Sequence, residues 1–399
     1  MRVNSVTGCT VWPLEAPLLD LVEQFQTAYY APHPGPLLIT LATYAAFQLP
    51  GDPLWVMLVG GPSKGKTESL NLLVTLDHVH TLSTITAAGL LSASKEKDKG
   101  KNATGGLLRA IGNRGFLSLK DFTSILSMPR ETRQQTLAAL REIHDGKWER
   151  GVGTDGGQTL SWEGKLGLIA ACTASIDDHR AVMSAMGERF LFHRMPSMDA
   201  DEQESAARKA AGNSGRESDL RSQLAEATLR FFETLPDPPA RSGAEHGRYI
   251  EGLATLIARC RSAVTRDGNG REIVNIHDAE SPARLSGQFT RLDAGLARIG
   301  VPASRRYGLV KKTALDCIPP VRARVLAELA KTGSAVVIGR LVTSTGYPKT
   351  TVWRAIEELR AHQVVERDGT WGSEDASDCG YRLRPEWLER WSRFPENHE

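Results

Sequence analysis

The sequence predicts an α/β protein: a parallel sheet with helices on both faces, followed by helical segments and a small C-terminal domain. Three observations carry this. Short continuous apolar runs at residues 54–59, 115–119 and 166–171 have the pattern of strands buried on both faces. Helical segments such as 130–144 and 177–186 separate them, and strands alternating with helices imply a parallel sheet. The first run leads directly into a glycine-rich loop and then a helix over 68–76.

The elements follow in order. Leu18, Leu21, Val22 and Phe25 recur at helical spacing behind Pro17. Pro32, Pro34 and Pro36 break that helix, and a second apolar helix runs over about 37–47. Gly51-Asp52-Pro53 is a turn. Residues 1–50 are thus a helical segment expected to pack on a core at 51–199. Within that core, the glycine-rich turn at 151–157 lies between 148–150 and 159–162, a β-hairpin signal. Residues 200–235 are polar and alanine-rich with helical spacing. Pro236, Pro238 and Pro239 interrupt them, and helices resume to about Lys312. Residues 258–313 hold 11 basic and 5 acidic side chains. Pro319-Pro320 marks the last boundary, with a separate domain expected over 316–399.

Composition limits the function classes. The 399 residues, 41% of them hydrophobic, suffice for two or three domains with cores of their own. A net charge of +2, from 49 basic and 47 acidic residues, selects no partner, so any nucleic-acid surface must be a local patch. Cys9, Cys172, Cys260, Cys317 and Cys379 form no C-x-x-C pair, which argues against a zinc ribbon. Their odd number argues against a disulfide scaffold and for a reducing compartment. The N-terminus lacks an apolar signal core. The longest apolar stretch, about 37–49, is interrupted by Thr40, Thr43 and Gln48 and is shorter than the ~20 residues of a membrane span. A soluble, cytoplasmic protein with no membrane partner is expected.

Gly60-Gly61-Pro62-Ser63-Lys64-Gly65-Lys66-Thr67 matches G-x-x-x-x-G-K-[ST] without a gap, between a strand and a helix. Such a loop wraps phosphates in backbone N–H groups, helped by the following helix N-terminus. Lys66 is expected on the β- and γ-phosphates and Thr67 on Mg²⁺. Residues Gly60 through Thr67, with Glu68, form the expected nucleotide site. No Asn-Lys-x-Asp motif appears, so ATP is expected rather than GTP.

Further segments resemble one family. Residues 86–94 are followed by a charged stretch, then Gly105-Gly106-Leu107-Leu108, then Gly115-Phe116-Leu117-Ser118-Leu119-Lys120-Asp121-Phe122. Ala170-Ala171-Cys172-Thr173, Gly187-Glu188-Arg189-Phe190 and Ser281-Pro282-Ala283-Arg284-Leu285 come next. This order, over about residues 54–300, resembles the AAA+ core of the MCM replicative helicases and their relatives on mobile genetic elements. The resemblance implies a P-loop AAA+ sheet over 51–199 and an α-helical lid over 200–315. It also implies an ATPase that assembles as a homo-oligomeric ring, expected as a hexamer. Asp121 falls at the catalytic glutamate of the Walker B strand, Thr173 at sensor 1, Arg189 at the arginine finger and Arg284 at sensor 2. The family's N-terminal zinc-bearing domain has no counterpart.

Three positions depart from the family's pattern: Lys120, Asp121 in place of the catalytic glutamate, and Thr173. Lys120 stands where the family has the metal-binding aspartate, so like charges would meet at the Mg²⁺. Asp121 is then left to serve the metal, directly or through water, while Lys120 turns away or pairs with an acid. Thr173 replaces an asparagine but can still hold a water by its hydroxyl. Slow or conditional hydrolysis is expected.

The C-terminal segment reads as a winged helix. Helices at 321–330, 335–343 and 349–363 precede a hairpin opened at 364–369 and closed at 380–383. Lys349, Thr350, Thr351 and Arg354 lie off the apolar stripe of the third helix and, with Arg367, are the expected DNA contacts. Residues 321–367 carry 8 basic and 4 acidic side chains, but the wing tip at 374–378 is acidic, so a protein-binding winged helix stays open. The loop at 95–101 has four lysines and reads equally as a DNA contact in a ring channel or as a solvated charge run. The leading expectation is a DNA helicase or replication initiator of a mobile element. An ATP-gated transcription regulator and an ATP-switched loader of protein partners are the alternatives.

Overall fold

The computed structural model describes residues 2–3, 10–11, 14–92, 105–153, 158–179, 189–237, 247–368 and 379–392. The lysine loop at 95–101, the hairpin tip at 154–157, Gly187-Glu188 and the acidic stretch at 374–378 lie outside them. The chain divides into two compact units, residues 1–241 with 294–303, and residues 242–293 with 304–399. The 200–315 stretch expected as one lid is therefore divided between the two units.

The first unit is an α/β layer structure. Its sheet contains five parallel strands: β1 (Trp55–Val59), β2 (Val79–Leu82), β3 (Arg114–Leu119), β6 (Lys165–Cys172) and β7 (Phe190–Arg194), in the order β2-β3-β6-β1-β7. Between β3 and β6, β4 (Lys147–Val152) and β5 (Gln158–Glu163) form the expected hairpin, with Trp148 opposite Trp162. The three apolar runs are the three central strands. The two edge strands were not expected: β2 is half-buried throughout and β7 carries His193 and Arg194, so neither shows a continuous apolar run. The helix expected over 177–186 begins instead as a 3₁₀ turn, Ala174–His179, and its remainder lies outside the described residues.

Alternation along the strands covers both faces of the sheet. Trp55, Met57 and Val59 of β1 join Leu117, Leu119, Leu168 and Ala170 in a core closed by Leu137, Leu140 and Ile143 of α7 (Arg130–His144). On the other face, Phe116 meets the edges of Tyr44 and Phe47. Those rings belong to α2 (Gly35–Gln48), buried along all but its last residue, which explains its apolar character all round. Arg114 donates to the carbonyls of Phe47 and Gln48 at 3.1 and 3.2 Å, and Lys165 to that of Leu49 at 2.6 Å. Two cations from β3 and β6 thus satisfy the orphan carbonyls at the end of α2 and complement its dipole. α1 (Ala16–Ala28) precedes α2, and α8 (Ala200–Gly212) and α9 (Glu217–Glu233) follow the sheet.

The second unit has α10 (Gly247–Arg261) and then an antiparallel pair, β8 (Val264–Arg266) with β9 (Ile273–Ile276), inside a stretch expected to be helical. After α11 (Ala283–Arg298), whose residues from 294 on belong to the first unit, and α12 (Ala303–Asp316), which enters the second at Ser304, come three helices: α13 (Pro320–Thr332), α14 (Ile338–Thr345) and α15 (Lys349–Ala361). β10 (Val336–Val337), β11 (Val365–Arg367) and β12 (Gly380–Leu383) form an antiparallel sheet in the order β10-β12-β11. A final helix, α16 (Pro385–Ser392), was not expected. Among the described residues, no helix is long and apolar enough to cross a membrane.

Candidate nucleotide site

The phosphate loop begins where β1 ends. Gly60 donates its N–H to the Cys172 carbonyl at 3.1 Å, tying the loop to the end of β6. A Cβ on Gly60 would come within 2.7 Å of the Met195 side chain. Gly65 turns the chain with φ of +78°, a left-handed conformation that suits glycine, and α3 (Lys66–Asn71) starts behind it. That helix has six regular residues rather than the nine expected, and i→i+3 turns continue it from Leu73 to Leu76. With so short a helix, the loop's own N–H groups, more than a helix dipole, are what could face an anion here. Lys66 folds over the loop, its Nζ 2.7 Å from the Gly60 carbonyl and 2.6 Å from that of Gly61. Burial lowers its pKa, and Lys64 adds to that while Asp121 opposes it. Incoming phosphates would restore the charged form.

A cavity of about 490 Å³ opens from this loop. Ser63, Lys64, Gly65, Lys66, Thr67 and Glu68 form one wall; Tyr29, Tyr30 and residues of α8 and α9 form the rest. Arg221 of α9 was missed in the sequence. It reaches Glu68 with Nε at 2.9 Å and Nη2 at 2.7 Å, and no motif spacing marks a contact across 153 residues.

The carboxyl ends of β1, β3 and β6 lie side by side, the region where parallel sheets bind ligands. Asp121 follows β3, is exposed, and accepts the Thr123 N–H at 2.9 Å. Thr173 follows β6, and its hydroxyl meets those of Thr123 at 3.3 Å and Ser175 at 2.7 Å. Thr123 and Ser175 were also missed. Lys120 is half-buried, its N–H on the Leu82 carbonyl at 2.8 Å, and it makes no ion pair among the described residues. Mg²⁺ takes hard oxygen ligands, often one or two from protein and the rest from phosphates and water. The exposed Thr67 hydroxyl and the Asp121 carboxylate fit that donor set.

The Arg189 side chain is 6% exposed, and its Nε and Nη2 donate to the Asp145 carboxylate, with Nε at 3.1 Å from Oδ1. It sits at the amino end of β7, level with the start of β1, since Phe190 pairs with Trp55. In this structure its guanidinium is engaged by an acid of its own chain. Arg284 lies exposed in the first turn of α11, in the second unit.

In the second unit, Lys349, Thr350 and Arg354 are exposed at the start of α15, Thr351 is half-buried and Arg367 is exposed on β11. The acids of the same helix are neutralised nearby. Glu357 pairs with Arg266, and Glu358 with both Arg266 and the buried Arg322. The helix start therefore keeps a net basic face.

No family model matches the chain, and no curated protein matches it. The solved structure described as "The A form apo structure of NrS-1 C terminal region-CTR" matches with a TM-score of 0.28 and 8% identity, over 96% of this chain and 79% of that chain. A likeness of that size carries no argument.

Proposed function

We propose that this chain is an ATP-hydrolysing motor of the AAA+ type that acts on DNA as a helicase or replication initiator. The observation that carries the proposal is the convergence of Lys66, Asp121 and Thr173 beyond the carboxyl ends of three adjacent strands, beside a loop shaped for phosphates. In this reading the loop N–H groups and Lys66 hold the phosphates and offset the charge that develops during transfer. Asp121 orients the attacking water and accepts its proton. Mg²⁺, held through Thr67 and Asp121, would screen the phosphate charge.

The second unit is read as a winged helix: three helices, a short sheet, and an exposed basic start to the third helix. Lys349 and Arg354 would meet duplex phosphates or base edges, with Arg367 on the wing. With Arg189 held in its own chain, ring assembly is left to the family resemblance.

The test is ATP turnover by the whole chain, alone and with single-stranded or duplex DNA, beside Lys66→Ala. DNA-stimulated turnover lost in Lys66→Ala supports the proposal, and equal turnover in both proteins overturns it. Displacement of a strand from a forked duplex separates a helicase from a regulator or loader.

A further inference from the structure

Thr173 has one O–H and two lone pairs, whereas an asparagine at that position would offer an amide with two donors. What a threonine can do for a ligand is decided by what fills its lone pairs. Thr123 Oγ1 accepts the Thr173 N–H at 3.1 Å and donates to Thr173 Oγ1 at 3.3 Å. Ser175 Oγ lies 2.7 Å from the same Oγ1. Thr123 also gives its own N–H to Asp121 Oδ1. One residue therefore holds both groups that the proposed reaction needs: the carboxylate through its backbone and the hydroxyl through its side chain.

Resting on the ATPase reading above, we infer that Thr123 and Ser175 are positioning residues that make Thr173 a directed donor. In the arrangement we infer, Ser175 as well as Thr123 donates to Thr173 Oγ1, and the single proton of Thr173 then points out of the cluster. Its target is an acceptor, either a γ-phosphoryl oxygen or the oxygen of the attacking water. Thr173 transfers no proton. The water oxygen bonds to the γ-phosphorus, the bond to the β–γ bridging oxygen breaks, and the proton of the water goes to Asp121. The hydroxyl cluster thereby replaces the amide with a donor whose direction depends on two neighbours rather than on its own geometry.

The experiment compares wild type, Thr123→Val, Thr123→Ser and Ser175→Ala. It measures kcat, KM, affinity for a non-hydrolysable ATP analogue, and Tm. Loss of one preorganised donor costs about 100-fold in kcat. Thr123→Val is expected to show that loss with analogue affinity within about twofold, because the phosphate loop is untouched. Thr123→Ser keeps the hydroxyl and is expected within about threefold of wild type. Ser175→Ala leaves one lone pair open and is expected to lower kcat about tenfold. A folded Thr123→Val with wild-type kcat overturns the inference, as does Thr123→Ser failing as badly as valine. If Thr123→Val does not fold, an unchanged kcat in Ser175→Ala overturns it. Wild type that binds ATP but never turns it over, with or without DNA, removes the ATPase reading and this inference together. Normal wild-type turnover with indifferent variants removes only the inference.

Discussion

Glu68 and Arg221 form a two-pronged ion pair, at 2.9 and 2.7 Å, between the first turn behind the phosphate loop and helix α9. Burial alone would raise the Glu68 carboxyl, but Arg221, with Tyr29 and Asn71, holds it below its ordinary value. Tyr29, buried beside the Glu68 charge, is pushed up to about 12. The pair offsets a negative charge at the mouth of the cavity where we propose that phosphates bind. Arg221→Ala is expected to weaken ATP affinity about tenfold, or ~1.4 kcal/mol of uncompensated repulsion. Adding Glu68→Gln is expected to recover most of that loss, and titration with a fluorescent ATP analogue measures both.

Lys66→Ala removes the cation proposed to meet the β- and γ-phosphates. Its kcat/KM for ATP is expected to fall at least about 100-fold. Steady-state phosphate release checks this, with Tm measured alongside because Lys66 also bonds two loop carbonyls.

Lys120→Asp places a carboxylate where a half-buried cation now stands beside Asp121. Basal hydrolysis is expected to rise, about tenfold at low Mg²⁺ and less at saturation, because repulsion of the metal is removed. Turnover across a Mg²⁺ series tests it. An unchanged or lower rate in folded protein would mean that Lys120 does not inhibit the metal site.

Arg189→Ala is expected to destabilise the fold rather than impair a neighbour's active site. Asp145 is half exposed, so the loss is about 1–2 kcal/mol, a Tm drop of a few degrees. Burial alone would raise Asp145, but Arg189 and His144 together hold it below its ordinary value. A carboxyl held low stabilises the fold fully above its unfolded pKa and loses that stabilisation as pH falls through its folded pKa. Asp145→Asn should therefore lower Tm at pH 7 and flatten its fall between about pH 5 and 3, as calorimetry would show. Mixing Arg189→Ala with Asp121→Asn should restore no turnover.

Lys349→Ala and Arg354→Ala should each weaken duplex binding. Each should also reduce the slope of log affinity against log salt by about 1 if its contact is to phosphate. Fluorescence anisotropy over a salt series measures this, and unchanged binding in both would favour a protein partner for this unit.

The parts of this molecule that can be read from sequence are those fixed by neighbours in the chain. The phosphate loop is contiguous, and β1, β3 and β6 are buried on both faces, so their runs are apolar but for the buried Ser118 of β3. The edge strands β2 and β7 meet solvent or polar groups on part of their surface, and nothing local separates them from helix or loop. Arg221, Thr123 and Ser175 act through partners distant in sequence or through hydroxyl geometry that spacing does not encode. For Arg189, a motif places an arginine just ahead of a strand, but only packing reveals its Asp145 partner.

The cationic grip of Arg114 and Lys165 on the end of α2 makes that helix part of the sheet's own architecture. Trimming the chain at the turn before β1 would strip Tyr44 and Phe47 from Phe116 and leave two strand cations without their carbonyls. The smallest fragment that keeps the sheet packed therefore starts upstream of α2. A protease cut between α1 and α2 should leave the two pieces co-purifying.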